Sequence, residues 1–279
     1  MTVINTNVSA LYAQAAITSN ARSLSTAMQE LSTGKRINSA SDDAAGIAIA
    51  SKLTSQIKGL NQAVRNANDG ISLLQTAEGA TNEITNMLQR MRELTVQSGN
   101  DTNSTTDRTA LATEYDQLAG EIDRISSTTK WNGMNVLNAG TNSGTFSFQV
   151  GSDGGSADQI SVSIGTFVTS GTVVTVKAGD LSSATASSAA TLLTTLDTSI
   201  ANVNTERSNM GASINRLQYT VDNLTNISTN ASASRSRIED VDYGQATTQL
   251  ARSQIIQQAA TAMLAQATQQ PQAVLSLLK

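Results

Sequence analysis

Apolar residues between Leu193 and Leu224 recur at alternating steps of three and four along the chain. The pattern lasts for more than four heptads, and one charged residue, Arg207, interrupts it. Such spacing is typical of a long α-helix with a narrow apolar seam, which partner helices of similar length must cover. The seam positions are Leu193, Leu196, Ile200, Val203, Arg207, Met210, Ile214, Leu217, Val221 and Leu224.

Two further helices are predicted before this one. Heptad spacing runs from Leu53 to Leu74 and continues, after a change of phase, to Leu94. A similar pattern runs from Leu111 to Ile125. The polar turn between the two patterns allows these helices to fold back on each other as a helical hairpin.

The residues before the first of these helices carry an acidic pair. Gly34 fits the C-terminal cap of a preceding helix. Asp42 and Asp43 follow it, and we expect both in the first turn of the next helix, where the helix dipole favours carboxylates. An alternative role in metal binding or acid–base chemistry finds no matching group of residues nearby in the sequence.

The character of the chain changes at Trp131, where glycine, serine and threonine become frequent. Apolar and polar residues alternate over 146–150 and 160–164, which predicts two half-buried strands. Turn signals such as Asn132-Gly133 lie around them. We therefore expect a small β-hairpin region over residues 132–182.

Both ends of the chain are uncharged over long stretches, residues 1–21 and 253–278, yet remain periodic. An ordinary surface helix carries lysine and glutamate on its outer face, so a neutral outer face suits close approach by other protein surface. We predict end helices that pack on copies of the chain, the alternative being a frayed terminus in the free monomer. Pro271, the one proline, is expected to end or kink the last helix. The apolar positions predicted to pack between copies are Ile4, Val8, Leu11, Leu24, Met28, Leu31, Ile256, Met263, Val274 and Leu277.

Composition narrows the function classes. Aromatic residues make up 3% and charged residues 14% of the 279 residues, which favours thin helical bundles over a thick layered core. The net charge of -4 argues against nucleic acid as a partner. Histidine and cysteine are absent, so we expect no enzyme, no metal site and no cofactor. The sequence shows no Sec-type signal pattern, and it has no apolar run long enough to predict a membrane span.

These patterns predict a mainly α fold. We expect a long antiparallel, coiled-coil-like helical bundle with a small β-hairpin region in the middle of the chain and both termini at one end. Residues 1–42 and 243–279 form the helices of the two ends. Residues 43–131 and 183–242 form the two halves of an inner bundle, and residues 132–182 form the β region.

Several motifs closely resemble those of bacterial flagellin, in the same order along both helical parts of the chain. The resemblance implies a subunit that polymerises with itself into the helical flagellar filament used for swimming, with residues 1–42 and 243–279 as filament-core helices. It also implies type III export without a cleaved signal, an extracellular location, and an export chaperone, a cap and hook-associated proteins as partners. The matching motifs are Val3–Asn7, Arg36–Gly46, Ile57–Leu60, Arg65–Ile71, Leu88–Leu94, Glu121–Arg124, Arg235–Asp240 and Val274–Leu278.

The resemblance also carries a receptor-binding pattern. Flagellins that are sensed by the innate Toll-like receptor for flagellin use a site on the inner helices. The same polar groups can alternatively face a neighbouring subunit in the filament, and the two roles are compatible. The residues that match the pattern are Gln89, Arg90, Arg92, Glu93 and Leu94, with Glu114 on the facing helix.

Two other readings compete with a filament subunit. A hook–filament junction protein shares the terminal helices, but the motifs at Arg235–Asp240 and Val274–Leu278 favour the filament subunit. A binding protein that recognises its target through the β region is disfavoured, because residues 132–182 hold few aromatic or arginine side chains of the kind that anchor interfaces.

Overall fold

The computed structural model describes residues 6–140, 142–153, 155–176, 181 and 186–276. Helices dominate these residues and a small antiparallel β region lies mid-chain, which confirms the predicted mainly α fold. The helices are α1 (Val8–Thr33), α2 (Ala44–Ser98), α3 (Thr105–Thr128), α4 (Ala186–Glu239) and α5 (Tyr243–Ser276). The strands are β1 (Lys130–Trp131), β2 (Met134–Asn135), β3 (Thr145–Gln149) and β4 (Gln159–Ser163).

The chain divides into two compact units. The terminal unit comprises Met1–Ile57 and Thr229–Lys279, and the central unit comprises Lys58–Ser228. Helices α1 and α5 belong to the terminal unit, whereas α3 and strands β1 to β4 belong to the central unit. Helices α2 and α4 contribute residues to both units.

Burial along α4 explains how its seam tolerates a charged residue. Every seventh position from Leu196 onward is buried, whereas Leu193, Ile200 and Val221 between them are half-buried. Arg207 takes one of these half-buried positions, where a long side chain can cover its aliphatic stem and keep part of its head near water. The predicted seam is therefore correct, and one of its two rows carries most of the burial. The fully covered row is Leu196, Val203, Met210, Leu217 and Leu224.

Helices α2 and α3 cover this seam in the central unit. Their buried residues form one core cluster with those of α4, and the β region adds Phe146, Val162 and Phe167 to it. Many of the predicted heptad positions of α2 and α3 belong to this cluster. Fully buried examples are Leu74, Ile84, Leu88 and Met91 on α2, and Tyr115 and Ile122 on α3.

A capping box starts α3. The Ser104 hydroxyl oxygen accepts a hydrogen bond from the Asp107 N–H at 3.3 Å, and the Asp107 carboxylate accepts one from the Ser104 N–H at 3.0 Å. These bonds satisfy two N–H groups that have no partner inside the helix. The Ser104 hydroxyl and then its N–H hold the pKa of Asp107 below its usual range, because both stabilise the charged carboxylate.

The β region contains the predicted hairpin. β3 and β4 pair antiparallel, with Phe146 opposite Val162 and Phe148 opposite Ile160, so the alternation in the sequence places one apolar face inward. β1 and β2 are joined by Asn132 and Gly133, which adopt φ of 48° and 80°, as a tight hairpin turn requires. The hairpin β3–β4 contacts α2 where the helix has glycine: a Cβ added at Gly70 would lie 3.0 Å from Cδ1 of Phe148.

Candidate functional site

The terminal unit pairs α1 with α5 through small and polar side chains. The most buried residues of this pair are Asn20 and Ala27 on α1, and Ala246 and Ser253 on α5. None of the four is a large apolar residue, so the two backbones approach closely but bury little apolar area. The buried and half-buried apolar positions on α1 are Ala10, Ala13, Ile17, Leu24, Ala27 and Leu31.

Asn20 fixes how the two helices align. Its side-chain amide donates hydrogen bonds to the carbonyl oxygen of Ser253 at 2.8 Å and to Oε1 of Gln257 at 3.1 Å. Small side chains such as alanine and serine pack about equally well in several registers of α1 on α5. The buried Asn20 amide, in contrast, would lose its two acceptors in any register other than the observed one. Asn20 therefore specifies the register of α1 on α5.

A second link joins the start of α1 to the last part of α5. The Asn7 side chain accepts the N–H of Ala10 at 3.1 Å, which caps α1, and donates its amide to the carbonyl oxygen of Ala267 at 2.7 Å. Pro271 has no N–H for that carbonyl, so Asn7 supplies the missing donor. The helix does not end at Pro271, because α5 continues to Ser276, and the other half of that prediction, a kink at Pro271, stays a prediction.

The opposite faces of α1 and α5 carry large apolar side chains in water. Val8, Leu11 and Met28 on α1 and Ile256 and Met263 on α5 are exposed, from 40% at Ile256 to 66% at Met263. These positions were predicted to pack between copies, and the single chain leaves them uncovered. Leu24 and Leu31, which belong to the same prediction, are half-buried. Of the other predicted positions, Ile4 and Leu277 lie outside the described residues, and Val274 lies in α5 with its side chain outside them.

The ends of α1 and α4 are tied together beside this helix pair. Gly34 ends α1 in the left-handed conformation, with φ of 71°. Arg36 N–H then donates to the carbonyl of Glu239 at 2.7 Å, and Val241 N–H donates to the carbonyl of Gly34 at 3.1 Å. The guanidinium of Arg36 adds a bond to the carbonyl of Ile238 at 2.8 Å. This short antiparallel bridge holds the chain entering and leaving the helix pair side by side.

The acidic pair serves the turn that leads into α2. Asp42 and Asp43 precede the helix, which begins at Ala44, so the prediction that both lie in its first turn is wrong. The Asp42 carboxylate accepts the N–H groups of Ser39 at 2.8 Å and Asn38 at 3.0 Å, and these bonds lower its pKa. Asp43 accepts the N–H of Gly46 at 2.8 Å as the helix cap. Both carboxylates are thus occupied by backbone donors.

A polar cluster lies on the surface of the central unit. Arg90 on α2 donates to Glu114 on α3 and to Glu93 on its own helix, both at 2.9 Å. These bonds, Glu114 first, raise the pKa of Arg90. Gln89 is exposed beside them, but Leu94 is 1% exposed and belongs to the core, where it holds α2 rather than meeting a partner.

Sequence reasoning missed one member of this cluster. Arg92 donates to Asp197 on α4 at 2.6 Å, and this hydrogen bond holds the pKa of Asp197 below its usual range. Asp197 is the one charged residue between Leu181 and Thr205. That isolation was the available signal, since a lone carboxylate on a neutral stretch usually has a cation nearby.

The described residues contain no group of three or more acidic side chains placed to hold a metal ion. Among the same residues, no helix has the length and apolar character that a membrane crossing requires.

Comparison with known proteins identifies relatives along most of the chain. The family model for the bacterial flagellin N-terminal helical region matches residues 4–143, and that for the bacterial flagellin C-terminal helical region matches residues 193–278. A flagellin of Halalkalibacterium halodurans is 44% identical over 277 residues, covering 99% of this chain and 100% of that protein. The flagellar filament 33 kDa core protein of Treponema phagedenis is 42% identical, covering 99% and 100%.

A solved structure has a similar fold. The structure of a putative flagellar hook-associated protein from Vibrio parahaemolyticus superposes with a TM-score of 0.57, covering 71% of this chain and 100% of that one. Its sequence identity is 13%, so the likeness extends to the fold alone.

Proposed function

The chain belongs to the bacterial flagellin family, and from this premise we propose that the outer faces of α1 and α5 form the surface through which its copies polymerise. The chain is a structural subunit of the extracellular flagellar filament, and it polymerises with itself. Its role in this proposal is structural and not catalytic. Segments 1–42 and 243–279 take the core of the filament.

One observation carries the proposal. Val8, Leu11, Met28, Ile256 and Met263 are exposed on helices whose flanking residues are largely uncharged. Each such side chain gains about 1.5–3 kcal/mol when it is fully buried, so a row of them favours association strongly. The same helices carry only Arg22, Glu30 and Arg252 as charged residues, far fewer than the lysine and glutamate residues that keep ordinary surface helices apart in solution.

We expect substitution of this row to stop polymerisation and leave the subunit folded. Leu11→Gln combined with Ile256→Gln removes apolar area that is exposed in the monomer, so the monomer should retain its helical circular dichroism. Seeded elongation, followed by sedimentation and negative-stain electron microscopy, should slow by about 100-fold, since each lost contact costs about 1.5 kcal/mol or more.

Tyr219→Gln is the matched control, because Tyr219 is 77% exposed on α4 of the central unit. It removes a large exposed side chain away from the terminal helices, and elongation should continue. Equal loss in both variants would contradict the assignment to α1 and α5. Small closed complexes from the unaltered chain, in place of long tubes, would favour the hook–filament junction reading.

The remaining partners belong to the same proposal. Type III export in the unfolded state, with an export chaperone, a filament cap and hook-associated proteins, agrees with two features of the chain. It has no cysteine, so no disulfide resists unfolding before export. The helix pair α1–α5 also buries little apolar area, which keeps unfolding of that part inexpensive.

We also propose that the polar cluster of the central unit binds the innate Toll-like receptor for flagellin. Gln89, Arg90, Arg92, Glu93 and Glu114 are exposed, and ion pairs join Arg90 to Glu93 and Glu114 and Arg92 to Asp197. Leu94 supports this surface from within the core. Planar guanidinium groups held by carboxylates are already ordered, so little side-chain entropy is lost when a partner binds.

Arg90→Ala should weaken the response of receptor-bearing reporter cells to soluble monomer by about ten-fold or more, as is typical of arginine at interface hot spots. Arg124→Ala is the matched control, since Arg124 pairs with Glu121 on the exposed surface of α3 in the same i, i+3 arrangement. Its dose–response curve should stay at that of the unaltered chain. No response to the unaltered monomer, or equal curves for the two variants, would refute receptor binding at this surface.

A further inference from the structure

The methionines of the chain differ sharply in their access to solvent. Met28 on α1 is 56% exposed and Met263 on α5 is 66% exposed, whereas Met91 and Met210 are fully buried. Met87 and Met134 are half-buried, and Met1 lies outside the described residues. The two most exposed methionines of the described residues therefore stand on the helices that the proposed function assigns to polymerisation.

The rest of the chain offers few competing targets for a two-electron oxidant. There is no cysteine, and the one tryptophan, Trp131, is half-buried in the central unit. Oxidation of methionine follows exposure, because the oxidant must reach the sulfur. An oxidant in solution will therefore act on Met28 and Met263 before it acts on the other methionines of the described residues.

We propose that Met28 and Met263 are sulfoxidation sites through which peroxide-class oxidants block polymerisation of the free subunit, an inference that rests on the proposed function of α1 and α5. The thioether sulfur attacks one peroxide oxygen, the O–O bond breaks and an S–O bond forms. The sulfur loses two electrons and becomes a sulfoxide, and the peroxide is reduced to water.

The surroundings of the two residues make this change costly for assembly. Residues 259–267 around Met263 include five alanines, so Met263 is one of the few bulky side chains that this part of α5 presents. A sulfoxide turns that apolar group into a strong hydrogen-bond acceptor. When another copy covers this position, the sulfoxide loses its hydrogen bonds to water, and the cost of burying a polar group opposes association.

Polymerisation in turn protects the two sites. If copies cover the outer faces of α1 and α5, both sulfurs are removed from solvent in the filament. The inference therefore predicts a chain that is sensitive to peroxide as a monomer and resistant once assembled. Enzymatic reduction of the sulfoxides reverses the block, because it regenerates the thioether.

The test compares three full-length chains before and after limited treatment with hydrogen peroxide. They are the unaltered chain, the terminal variant Met28→Leu/Met263→Leu and the central variant Met87→Leu/Met134→Leu. Leucine keeps the apolar volume and cannot be oxidised, and both variants lose two thioethers. Peptide mass spectrometry measures sulfoxide at each methionine, and sedimentation measures the rate of seeded elongation.

We expect peroxide to oxidise Met28 and Met263 first and to slow elongation of the unaltered and central-variant chains on the order of ten-fold or more. The terminal variant should elongate at the same rate before and after peroxide treatment, whatever its untreated rate. Methionine sulfoxide reductase should restore elongation of the unaltered chain, and intact filaments should show slower oxidation at both sites. Equal inhibition of the terminal variant, or equal oxidation of the two sites in filaments and monomers, would overturn the inference. An untreated chain that fails to extend seeds would instead overturn the proposed function.

Discussion

Replacing Asn20 with aspartate should lower the free energy of unfolding of the terminal unit by about 3 kcal/mol at neutral pH, because the variant buries an unpaired carboxylate. The amide of Asn20 donates to the Ser253 carbonyl and to Gln257, and a carboxylate has no hydrogen to offer either oxygen. Because asparagine and aspartate have nearly the same shape, the packing around residue 20 should not change, and the variant differs from the unaltered chain in charge. Urea unfolding followed by a fluorophore on a single Ser19→Cys label measures the loss, since the chain has no other cysteine.

The pH dependence identifies the cause of that loss. Burial raises the pKa of the new carboxyl above its unfolded value of about 3.9, so the folded state holds its proton to higher pH than the unfolded state. The loss is absent below the unfolded pKa, grows as the pH rises through the interval between the two values, and is constant above the folded one. Asn20→Leu is the control, with a loss of about 1 kcal/mol at every pH. A loss in Asn20→Asp that does not change with pH would refute a buried, desolvated position for this side chain.

Leu196→Ala should destabilise the central unit by about 2–5 kcal/mol, the range found when a fully buried leucine is cut back and a cavity remains. Leu196 is 0% exposed on the covered row of the α4 seam, with the core cluster of the central unit around it. Trp131 lies partly buried against the same cluster, so its fluorescence during urea unfolding reports the loss.

Leu193→Ala is the matched control for this prediction. It makes the same substitution three residues earlier on the same helix, at a half-buried seam position. Its neighbours and solvent fill part of the vacated space, so we expect less than half the loss seen for Leu196→Ala. An equal loss of unfolding free energy at the two positions would mean that both rows of the seam are equally buried. That result would contradict the deeper burial of the row that contains Leu196.

The helices and the hairpin could be predicted from the sequence because their signals are local. The heptad steps of α4 and the alternation around Phe146 and Ile160 depend only on residues a few positions apart. Pro271 shows where that reasoning ends. Its local effect is to free the Ala267 carbonyl, and the donor that satisfies this carbonyl is Asn7, 260 residues earlier. No local pattern predicts such a partner, so the sequence led us to expect an end or a kink of the helix at a position where the helix continues.

Sequence periodicity also left open which face of each end helix is covered within the single chain. Val8, Leu11, Leu24 and Leu31 of α1 were all predicted to pack between copies. The structure half-buries Leu24 and Leu31 and leaves Val8 and Leu11 exposed. The same limit applies to Leu94. A motif match does not show which side of α2 faces the core, and the burial of Leu94 shows that this residue does.

The Asn7–Ala267 and Asn20–Ser253 bonds close separations of 260 and 233 residues. Contacts of such high contact order form late in folding, because nearly the whole chain must be brought together first. On the ribosome α1 emerges long before α5 has been translated, so the nascent chain holds one half of the pair for most of its synthesis. Until both ends of the chain are free, in synthesis and again in the proposed export, the helices cannot pair, and the two-helix surface on which copies would stack is absent.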